Sequence, residues 1–356
     1  MRAAVYRGIG QIVVEDLPVP AIGPREMLVA VDVCGVCPTD IKKIQKGLVA
    51  PPRVFGHEIA GTVVEIGEGV RPYRPGDRVV VHHHVPCDSC FYCRRHAYAQ
   101  CARYKKNGTT AGFEPSGGGF AEYVRVMDWI VARGVVPIPD DVTSEEASFV
   151  EPVNTCLKAV ETARVEAGET VLVVGQGPIG LIIMQIVRTI GARVVTSDLL
   201  TDRLELSRTL GAFEVRDARD DLPERLRALT EGRGADCTFL AAPGEAAFGQ
   251  ALAATRPAGR LMVFSATSPG ETAEVDLGPL CTSEKQILTA YSSSIDLQDR
   301  AAELVFTRRV RVAELITHRF PLDQAARAIE QVSRPSPGTL KAVLQMARTP
   351  TPGAAR

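Results

Sequence analysis

Residues that bind metal ions are grouped in a short stretch near the start of the chain. Cys34 and Cys37 form a C-x2-C pair, and His57 and Glu58 follow about twenty residues later. A thiolate, an imidazole and a carboxylate are all ligands that Zn²⁺ accepts. The stretch therefore predicts a catalytic metal site, in which either cysteine could supply the thiolate and the fold must bring the two clusters together.

Further polar side chains in this part of the chain could serve such a site. Thr39 and Asp40, close behind the C-x2-C pair, offer a hydroxyl and a carboxylate that could handle a proton. His82, His83 and His84 form a row at the end of a predicted strand. Successive strand residues face opposite sides, so we interpret these histidines as solvated or substrate-lining rather than as a ligand set.

Four further cysteines crowd into a short segment and predict a second metal site. They follow the pattern C-x2-C-x2-C-x7-C at Cys87, Cys90, Cys93 and Cys101. Four thiolates with no open position are typical of structural zinc, although an iron–sulfur cluster also accepts four cysteines. Disulfides are disfavoured, because the chain starts without the apolar core of a secretion signal.

The composition predicts a globular protein of two domains. The chain has 356 residues, more than one simple core usually accommodates, with 45% hydrophobic and 23% charged residues. Its formal net charge of -1 gives no electrostatic reason to expect nucleic acid or an anionic membrane as a partner. The longest strongly apolar run, 181–187, is far too short to span a bilayer. We therefore expect a soluble, cytoplasmic protein.

The two parts of the chain differ in pattern. Up to about residue 150, short β-branched runs such as 27–33, 61–66 and 78–82 are separated by Gly and Pro, which predicts a β-barrel-like unit. A helix follows, with Thr143 or Ser144 as its N-cap.

Beyond that helix, strands alternate with amphipathic helices, which is typical of a parallel sheet covered on both faces. The predicted strands are 170–174, 193–197, 214–215, 235–240, 260–264 and 286–290, and the predicted helices between them are 178–190, 202–210, 222–230 and 245–255. Helices 297–307 and 322–332, a strand 340–344 and a disordered tail 349–356 complete the prediction.

A glycine-rich turn joins the first of these strands to its helix. The G-x-G-x-x-G motif that starts at Gly175 follows an apolar strand and opens an apolar helix, the context that dinucleotide binding requires. Gly175 permits the tight turn, Gly177 lets the backbone approach a pyrophosphate, and Gly180 lets the helix pack on the strand. The helix start, which includes Pro178 and Ile179, offers free N–H groups to the phosphates.

The next strand ends in a carboxylate that indicates which dinucleotide is bound. Asp198, eighteen residues past Gly180, can accept hydrogen bonds from an adenosine ribose and repel a 2′-phosphate, which favours NAD over NADP. Arg203 weakens this inference, since a nearby cation could hold that phosphate, but it lies within the following predicted helix.

Five motifs occur in order along the chain: Gly35-Val-Cys37-Pro-Thr39-Asp40, Gly56-His57-Glu58, the four cysteines, Val150-Glu151-Pro152 and the glycine turn. In this combination nearly the whole chain resembles the zinc-containing medium-chain dehydrogenase/reductase superfamily, most closely its polyol (sorbitol-type) branch. The resemblance implies a GroES-like β-barrel catalytic domain, residues 1–152 and 293–356, with a zinc lobe at 86–102. A Rossmann domain at 153–292 would be inserted into it.

The resemblance also implies roles for individual residues. The family's catalytic thiolate stands two residues before the Thr and three before the Asp, which selects Cys37. His57 matches the second ligand, and Glu58 and Glu151 both fit acidic positions around the same zinc. Lys341 stands where the family places a cation against the pyrophosphate. Two zinc ions and NAD are the implied cofactors.

The implied activity is hydride transfer from a secondary alcohol to NAD⁺, which gives a ketone. Glu58, Glu151 and the polar segment 104–116 favour a polyol or cyclitol, and ethanol-oxidising members have cysteine at the Glu151 position. Thr39 would accept the hydroxyl proton and Asp40 would orient the local structure, whereas Lys42 replaces a histidine that many members use to pass the proton outward.

The alternatives are a threonine or amino-alcohol dehydrogenase and, less closely, an NADPH-dependent zinc-free reductase of the same fold. A non-catalytic protein that keeps only the NAD site is a third alternative. The resemblance also implies a homodimer or homotetramer.

Overall fold

The computed structural model describes residues 1–82, 85–103, 117–264, 270–334 and 336–347. The histidines His83 and His84, the polar segment 104–116 and the tail 349–356 lie outside these residues. By its internal contacts the chain divides into two compact units. Unit 1 comprises Met1–Asn154, Ser293–Thr307 and Val312–Arg356, and unit 2 comprises Thr155–Ser292 and Arg308–Arg311.

The first part of unit 1 is rich in β-structure. Its elements are β1 (Arg2–Gly8), β2 (Gln11–Asp16), β3 (Met27–Gly35), α1 (Pro38–Lys46), β4 (Arg53–Val54), β5 (Glu58–Ile66), β6 (Arg78–Val81), β7 (Tyr123–Val126), α2 (Asp128–Val131), β8 (Val135–Pro137) and α3 (Ser144–Ala147). Helix α4 (Val150–Ala163) follows and belongs to unit 1 up to Asn154 and to unit 2 from Thr155 on. Helix α3 starts with a capping box, in which Thr143 and Glu146 each accept a hydrogen bond from the other's backbone N–H. Thr143 is therefore the N-cap.

Unit 2 alternates strands with helices throughout. Its elements are β9 (Thr170–Val174), α5 (Pro178–Ile190), β10 (Arg193–Asp198), α6 (Thr201–Thr209), β11 (Glu214–Asp217), α7 (Leu222–Leu229), β12 (Ala235–Leu240), α8 (Glu245–Ala254), β13 (Thr255–Val263), α9 (Leu277–Thr282) and β14 (Gln286–Thr289). The strands form one parallel sheet in the order β11-β10-β9-β12-β13-β14. This is the 3-2-1-4-5-6 order of dinucleotide-binding folds.

The chain then returns to unit 1 and completes its main sheet. The remaining elements are α10 (Gln298–Phe306), β15 (Ile316–Pro321), α11 (Ala325–Ser333) and β16 (Lys341–Gln345). Strands from both parts of the unit pair in the order β15-β16-β3-β5-β6-β8, with β7 also on β3, and a smaller sheet has the order β2-β1-β4. Strand β3 is buried along almost its whole length because neighbouring strands and core side chains surround it.

The predicted class, a β-rich unit combined with a Rossmann-type parallel sheet, is confirmed. The helix α1 was not predicted, although Ile41 and Ile44 have the three-residue spacing of one helix face and are buried. In the part of the chain that the structure describes, none of the helices combines the length and apolar character needed to cross a lipid bilayer.

Candidate active site

Elements of unit 1 carry three predicted metal ligands to one point. Cys37 follows β3 and is the N-cap residue of α1. His57 and Glu58 stand at the start of β5, which pairs with β3 so that Gly35 lies opposite Glu58. The candidate ligand atoms of Cys37, His57 and Glu58 all lie within 4.8 Å of one another. The pairing of β3 with β5 therefore assembles side chains that are distant in sequence.

A buried carboxylate orients the imidazole of His57. Asp40, on the first turn of α1, is fully buried, and its Oδ1 lies 3.1 Å from His57 Nδ1. A hydrogen bond donated by Nδ1 leaves Nε2 available to a metal ion, as is usual for metal-binding histidines. Burial alone lowers the pKa of His57, but the charges of Asp40 and Cys37 outweigh it and raise that pKa well above its usual value. The same charges favour a metal cation at this ring.

Glu58 is paired with a lysine from the last strand of the unit. Lys341 donates from Nζ to Glu58 Oε1 at 2.6 Å, and both side chains are buried. Burial alone would lower the pKa of Lys341, but the neighbouring Glu58 carboxylate raises it, so the lysine is charged. The structure shows Lys341 beside Glu58, and its predicted contact with a pyrophosphate stays a prediction. Because β16 pairs with β3, its first residue lies beside Glu58 within unit 1.

Glu151 stands on the first turn of α4 and is also buried. Burial raises the pKa of its carboxyl to about 7; the charge of His57 lowers it and that of Glu58 raises it. Glu151 is therefore within electrostatic reach of the ligand group. It is not a member of the set whose ligand atoms approach one another within 4.8 Å, so the geometry favours Glu58 as the third ligand.

These donors fit a zinc ion. One thiolate, one imidazole and one carboxylate leave a position open for another ligand, which is the pattern of catalytic zinc. Three carboxyl groups, those of Asp40, Glu58 and Glu151, are buried around these donors, and the pKa of Glu151 is raised. Buried charge of this kind is costly unless a cation compensates it.

The other candidates near Cys37 have distinct positions. Cys34 is fully buried and packs closely against Gly56. If Gly56 had a Cβ, that atom would lie 2.9 Å from the Cys34 sulfur. Burial raises its pKa well above the usual value, so Cys34 is an inert packing residue. Thr39 is exposed on the first turn of α1, and Lys42 is half-buried one turn further along.

The four-cysteine group of the sequence is assembled as a second cluster in unit 1. The candidate ligand atoms of Cys87, Cys90, Cys93 and Cys101 lie within 4.8 Å of one another, and the sulfurs of Cys90 and Cys93 are 3.4 Å apart. Zinc–sulfur bonds of about 2.3 Å in a tetrahedron place sulfurs about 3.8 Å apart. Burial raises the pKa of the Cys93 thiol to about 12, so a cation is needed to hold it as a thiolate. The cluster fits structural zinc.

The glycine turn of unit 2 has the geometry of a phosphate-binding loop. Gly175 adopts φ +91°, which favours glycine, and a Cβ on Gly180 would lie 1.8 Å from the Gly175 carbonyl oxygen. A Cβ on Gly177 would meet nothing within 4 Å, so the backbone there is open to an approaching group. Pro178 and Ile179 form the first turn of α5 and are half-buried. These positions fit a dinucleotide pyrophosphate at the helix N-terminus.

Asp198 at the end of β10 connects this turn to the next helix. It accepts hydrogen bonds from the backbone N–H of Gln176 at 2.6 Å and of Leu200 at 2.9 Å. Arg203 Nη1 lies 3.7 Å from its Oδ2. Arg203 is therefore paired with Asp198, and these contacts together hold the Asp198 carboxylate in place.

Comparisons with known proteins match both units. The profile for the alcohol dehydrogenase GroES-like domain matches residues 23–140, and that for zinc-binding dehydrogenases matches 178–307. The sorbitol dehydrogenase of Gallus gallus is 30% identical over 352 residues and 93% of each chain.

Solved structures are similar over almost the entire chain. A zinc-binding dehydrogenase from Sinorhizobium meliloti 1021, bound to NADP, has a TM-score of 0.87 at 29% identity and covers 97% of this chain and 98% of its own. Galactitol-1-phosphate dehydrogenase from Escherichia coli has a TM-score of 0.84 at 25% identity and covers 97% of this chain and 100% of its own.

The chain belongs to the zinc-containing medium-chain dehydrogenase/reductase superfamily, in its polyol dehydrogenase branch. The family resemblance based on five motifs is confirmed, as is the general class of zinc-dependent alcohol or polyol dehydrogenase. The NADP-bound relative means that the choice between NAD and NADP rests on this chain's own residues.

Sequence reasoning overlooked Gly35, which makes room for the Glu58–Lys341 pair. A Cβ on Gly35 would lie 1.8 Å from Glu58 Oε2 and 3.1 Å from Lys341 Cε. The glycine was visible in the motif, but its function depends on the register that sets it opposite Glu58. No sequence pattern reveals that register.

Replacing Gly35→Ala should therefore displace the Glu58 carboxylate and weaken metal binding at the Cys37 site. We expect zinc content to fall from two ions towards one per chain, and kcat/KM to fall roughly 10²-fold, the scale that an ångström of misplacement can cause. Metal analysis and steady-state kinetics measure both. Gly249→Ala adds the same methyl where nothing lies within 4 Å and should change neither; a fully active, two-zinc Gly35→Ala variant would refute the role of Gly35.

Proposed function

We propose that this protein oxidises a secondary alcohol of a polyol or cyclitol to a ketone, with NAD⁺ as the hydride acceptor. The observation that carries the proposal is the cluster of Cys37, His57 and Glu58, with ligand atoms within 4.8 Å. The same chain contains a glycine turn open to a dinucleotide. Metal ligands and a hydride acceptor in one chain are what alcohol oxidation requires.

In this proposal Cys37, His57 and Glu58 hold the catalytic zinc, while Cys87, Cys90, Cys93 and Cys101 hold the structural zinc. When bound, the catalytic zinc supplies a Lewis acid that eases removal of the alcohol proton. Asp40 holds the His57 ring by its Nδ1 edge, so that Nε2 keeps its direction. Glu151 lies beside the ligand group, where its carboxyl can accept hydrogen bonds from water or substrate.

The proton leaves along α1. Thr39 stands on the first turn of this helix, two residues after Cys37, and is exposed to solvent. Lys42 lies three residues further on the same helix face. Thr39 therefore accepts the hydroxyl proton as its own hydroxyl proton leaves towards solvent, and Lys42, whose ammonium group can only donate, is not a proton acceptor in this path.

The substrate class follows from the polarity of the buried groups. The carboxyl groups of Glu151 and Glu58 are buried near the ligand group, and carboxyl oxygens can accept hydrogen bonds from substrate hydroxyl groups. A polyol offers further hydroxyl groups next to the one that is oxidised. The relatives that act on sorbitol and galactitol-1-phosphate support this choice.

The proposal is tested by an NAD⁺-reduction screen across polyols, cyclitols, sugars and amino alcohols. Wild-type protein should contain two zinc ions per chain and prefer polyols or cyclitols. Cys37→Ser should retain one zinc and lose activity by roughly 10²–10³-fold, the scale for removing a central electrostatic element. Cys281→Ser, which changes an exposed thiol, is the matched control.

Several outcomes of the screen would contradict the proposal. Preference for threonine would favour the amino-alcohol alternative, and zinc-free activity with NADPH would favour the reductase alternative. Nucleotide binding without any turnover would indicate a non-catalytic protein.

The proposed preference for NAD rests on the Asp198 carboxylate. Asp198→Ala removes the charge that repels a 2′-phosphate and releases Arg203 to attract one. The ratio of kcat/KM for NAD⁺ over NADP⁺ should fall by at least about tenfold, which corresponds to about 1.4 kcal/mol. As a control, Asp202→Ala makes the same charge change on α6 and should leave the ratio within about twofold of wild type. If Asp198→Ala leaves the ratio unchanged, Asp198 does not determine the preference for NAD⁺.

We also propose a homodimer formed through the edge strand β14. Within the described strands β14 pairs with β13 alone, and exposed apolar side chains surround it: Leu277 is 67%, Ile287 38% and Tyr291 59% exposed. The opposite edge, β11, is instead covered by ion pairs of Glu214 with Arg216 and Arg225. An open, apolar edge pairs readily with another strand, and a second copy offers a self-complementary one.

Light scattering after size exclusion tests this assembly. Wild-type protein should have twice the mass of the chain or a multiple of that, and Ile287→Lys should shift it to the monomer. Ile9→Lys changes another exposed isoleucine, in unit 1, and should leave the mass unchanged. A monomeric wild type would contradict the proposal.

A further inference from the structure

Asn154, on α4, is a fully buried carboxamide with every polar atom engaged. Its Nδ2 donates to the backbone oxygen of Ser294 and to Gln298 Oε1, both at 2.9 Å. Its Oδ1 accepts from the backbone N–H of Ser294 at 2.8 Å. The side chain therefore bonds both the backbone N–H and the backbone C=O of Ser294, and we call this arrangement the clamp.

This clamp lies on the helix turn that carries Glu151. Asn154 follows Glu151 by three residues, and residues three apart share a helix face. The first N–H groups of a helix have no partner within it, so the first turn of α4 depends on other contacts for its position. The Asn154 clamp supplies such contacts.

The segment that Asn154 bonds is also connected to β6, the strand that pairs with β5. The Oγ of Ser293, the residue before Ser294, lies 3.5 Å from Nε2 of the buried His82. The backbone N–H of His82 donates to the Gly134 oxygen at 2.7 Å, directly after β6. Strand β6 pairs with β5, which starts at Glu58. Because His82 directly follows β6, hydrogen bonds and short backbone segments connect the clamp to β5 next to Glu58.

We propose that Asn154 is a positioning residue for Glu151: its clamp on Ser294 and Gln298 fixes where the Glu151 carboxyl lies relative to Cys37, His57 and Glu58. The proposal rests on the proposed function in one respect only: it takes Cys37, His57, Glu58 and Glu151 to form the active site. Asn154 touches neither substrate nor metal, and it acts through the helix turn that it holds.

A matched control exists in unit 2. Gln185 is 1% exposed and clamps the peptide of Arg311 in the same way, with Nε2 donating at 3.1 Å and Oε1 accepting at 2.8 Å. Asn154→Ala and Gln185→Ala therefore remove equivalent buried hydrogen bonds. Thermal unfolding should show comparable losses of stability in the two variants.

Activity and spectroscopy should separate the two variants. In Asn154→Ala we expect kcat/KM to fall roughly 10²-fold, because displacement by about an ångström has that effect. The visible absorption of Co²⁺ exchanged into the Cys37 site should also shift. In Gln185→Ala kcat/KM should stay within about twofold of wild type, with an unchanged cobalt spectrum. Equal spectral and kinetic changes in both variants would overturn the proposal.

A double-mutant cycle tests the connection to Glu151. If Asn154 acts by positioning Glu151, Asn154→Ala should lower kcat/KM only slightly in protein that already carries Glu151→Gln. If the two residues act independently, their separate reductions in kcat/KM would multiply. Multiplying reductions in kcat/KM would overturn the proposal.

If Asn154→Ala does not fold, Gln298→Ala removes one hydrogen bond of the clamp and replaces Asn154→Ala in the cycle. An absence of alcohol turnover in wild-type protein would count against the proposed function, while the cobalt spectra would still decide the role of Asn154.

Discussion

Buried charge is the constraint on which the arrangement of unit 1 depends. Ionised groups removed from water each cost on the order of several kcal/mol unless they are paired, and this unit buries Asp40, His57, Glu58, Glu151 and Lys341 within reach of one another. Asp40 is paired with His57 and Glu58 with Lys341. Glu151 shows what happens to a carboxyl with less compensation, because burial raises its pKa to about 7. The seven-stranded sheet brings both members of each pair to one place.

Local features of the fold were predictable because each depends on neighbours in sequence. Alternation of apolar runs predicted the parallel sheet, and even the weak strand at Glu214 is present. Motif spacing pointed to the four-cysteine cluster, which the structure assembles. The third ligand of the catalytic site was not predictable, because Glu58 and Glu151 differ only in where β5 and α4 place them. The partner of Lys341 depends on the pairing of β16 with β3, which joins segments from opposite ends of the chain.

In unit 2, one carboxylate combines a structural role with a proposed role in dinucleotide recognition. Asp198 accepts the backbone N–H of Gln176, which lies within the glycine turn, and it also stands where ribose hydroxyls would bind. The position of the turn and the choice of dinucleotide are therefore coupled. The sequence indicated the second role through spacing alone. The first role needed the structure, since it depends on how far β10 extends beside β9.

The position of Lys341 in the last strand has a consequence for how the protein is made. Unit 2 is formed almost entirely by one continuous segment, which can fold as soon as it leaves the ribosome. Unit 1 cannot do so, because the partner of Glu58 lies 283 residues further along the chain. Until that strand is synthesised, β3 lacks one neighbour and Glu58 lacks its counter-ion. The counter-ion of Glu58 is therefore in place only in chains whose translation has passed residue 341.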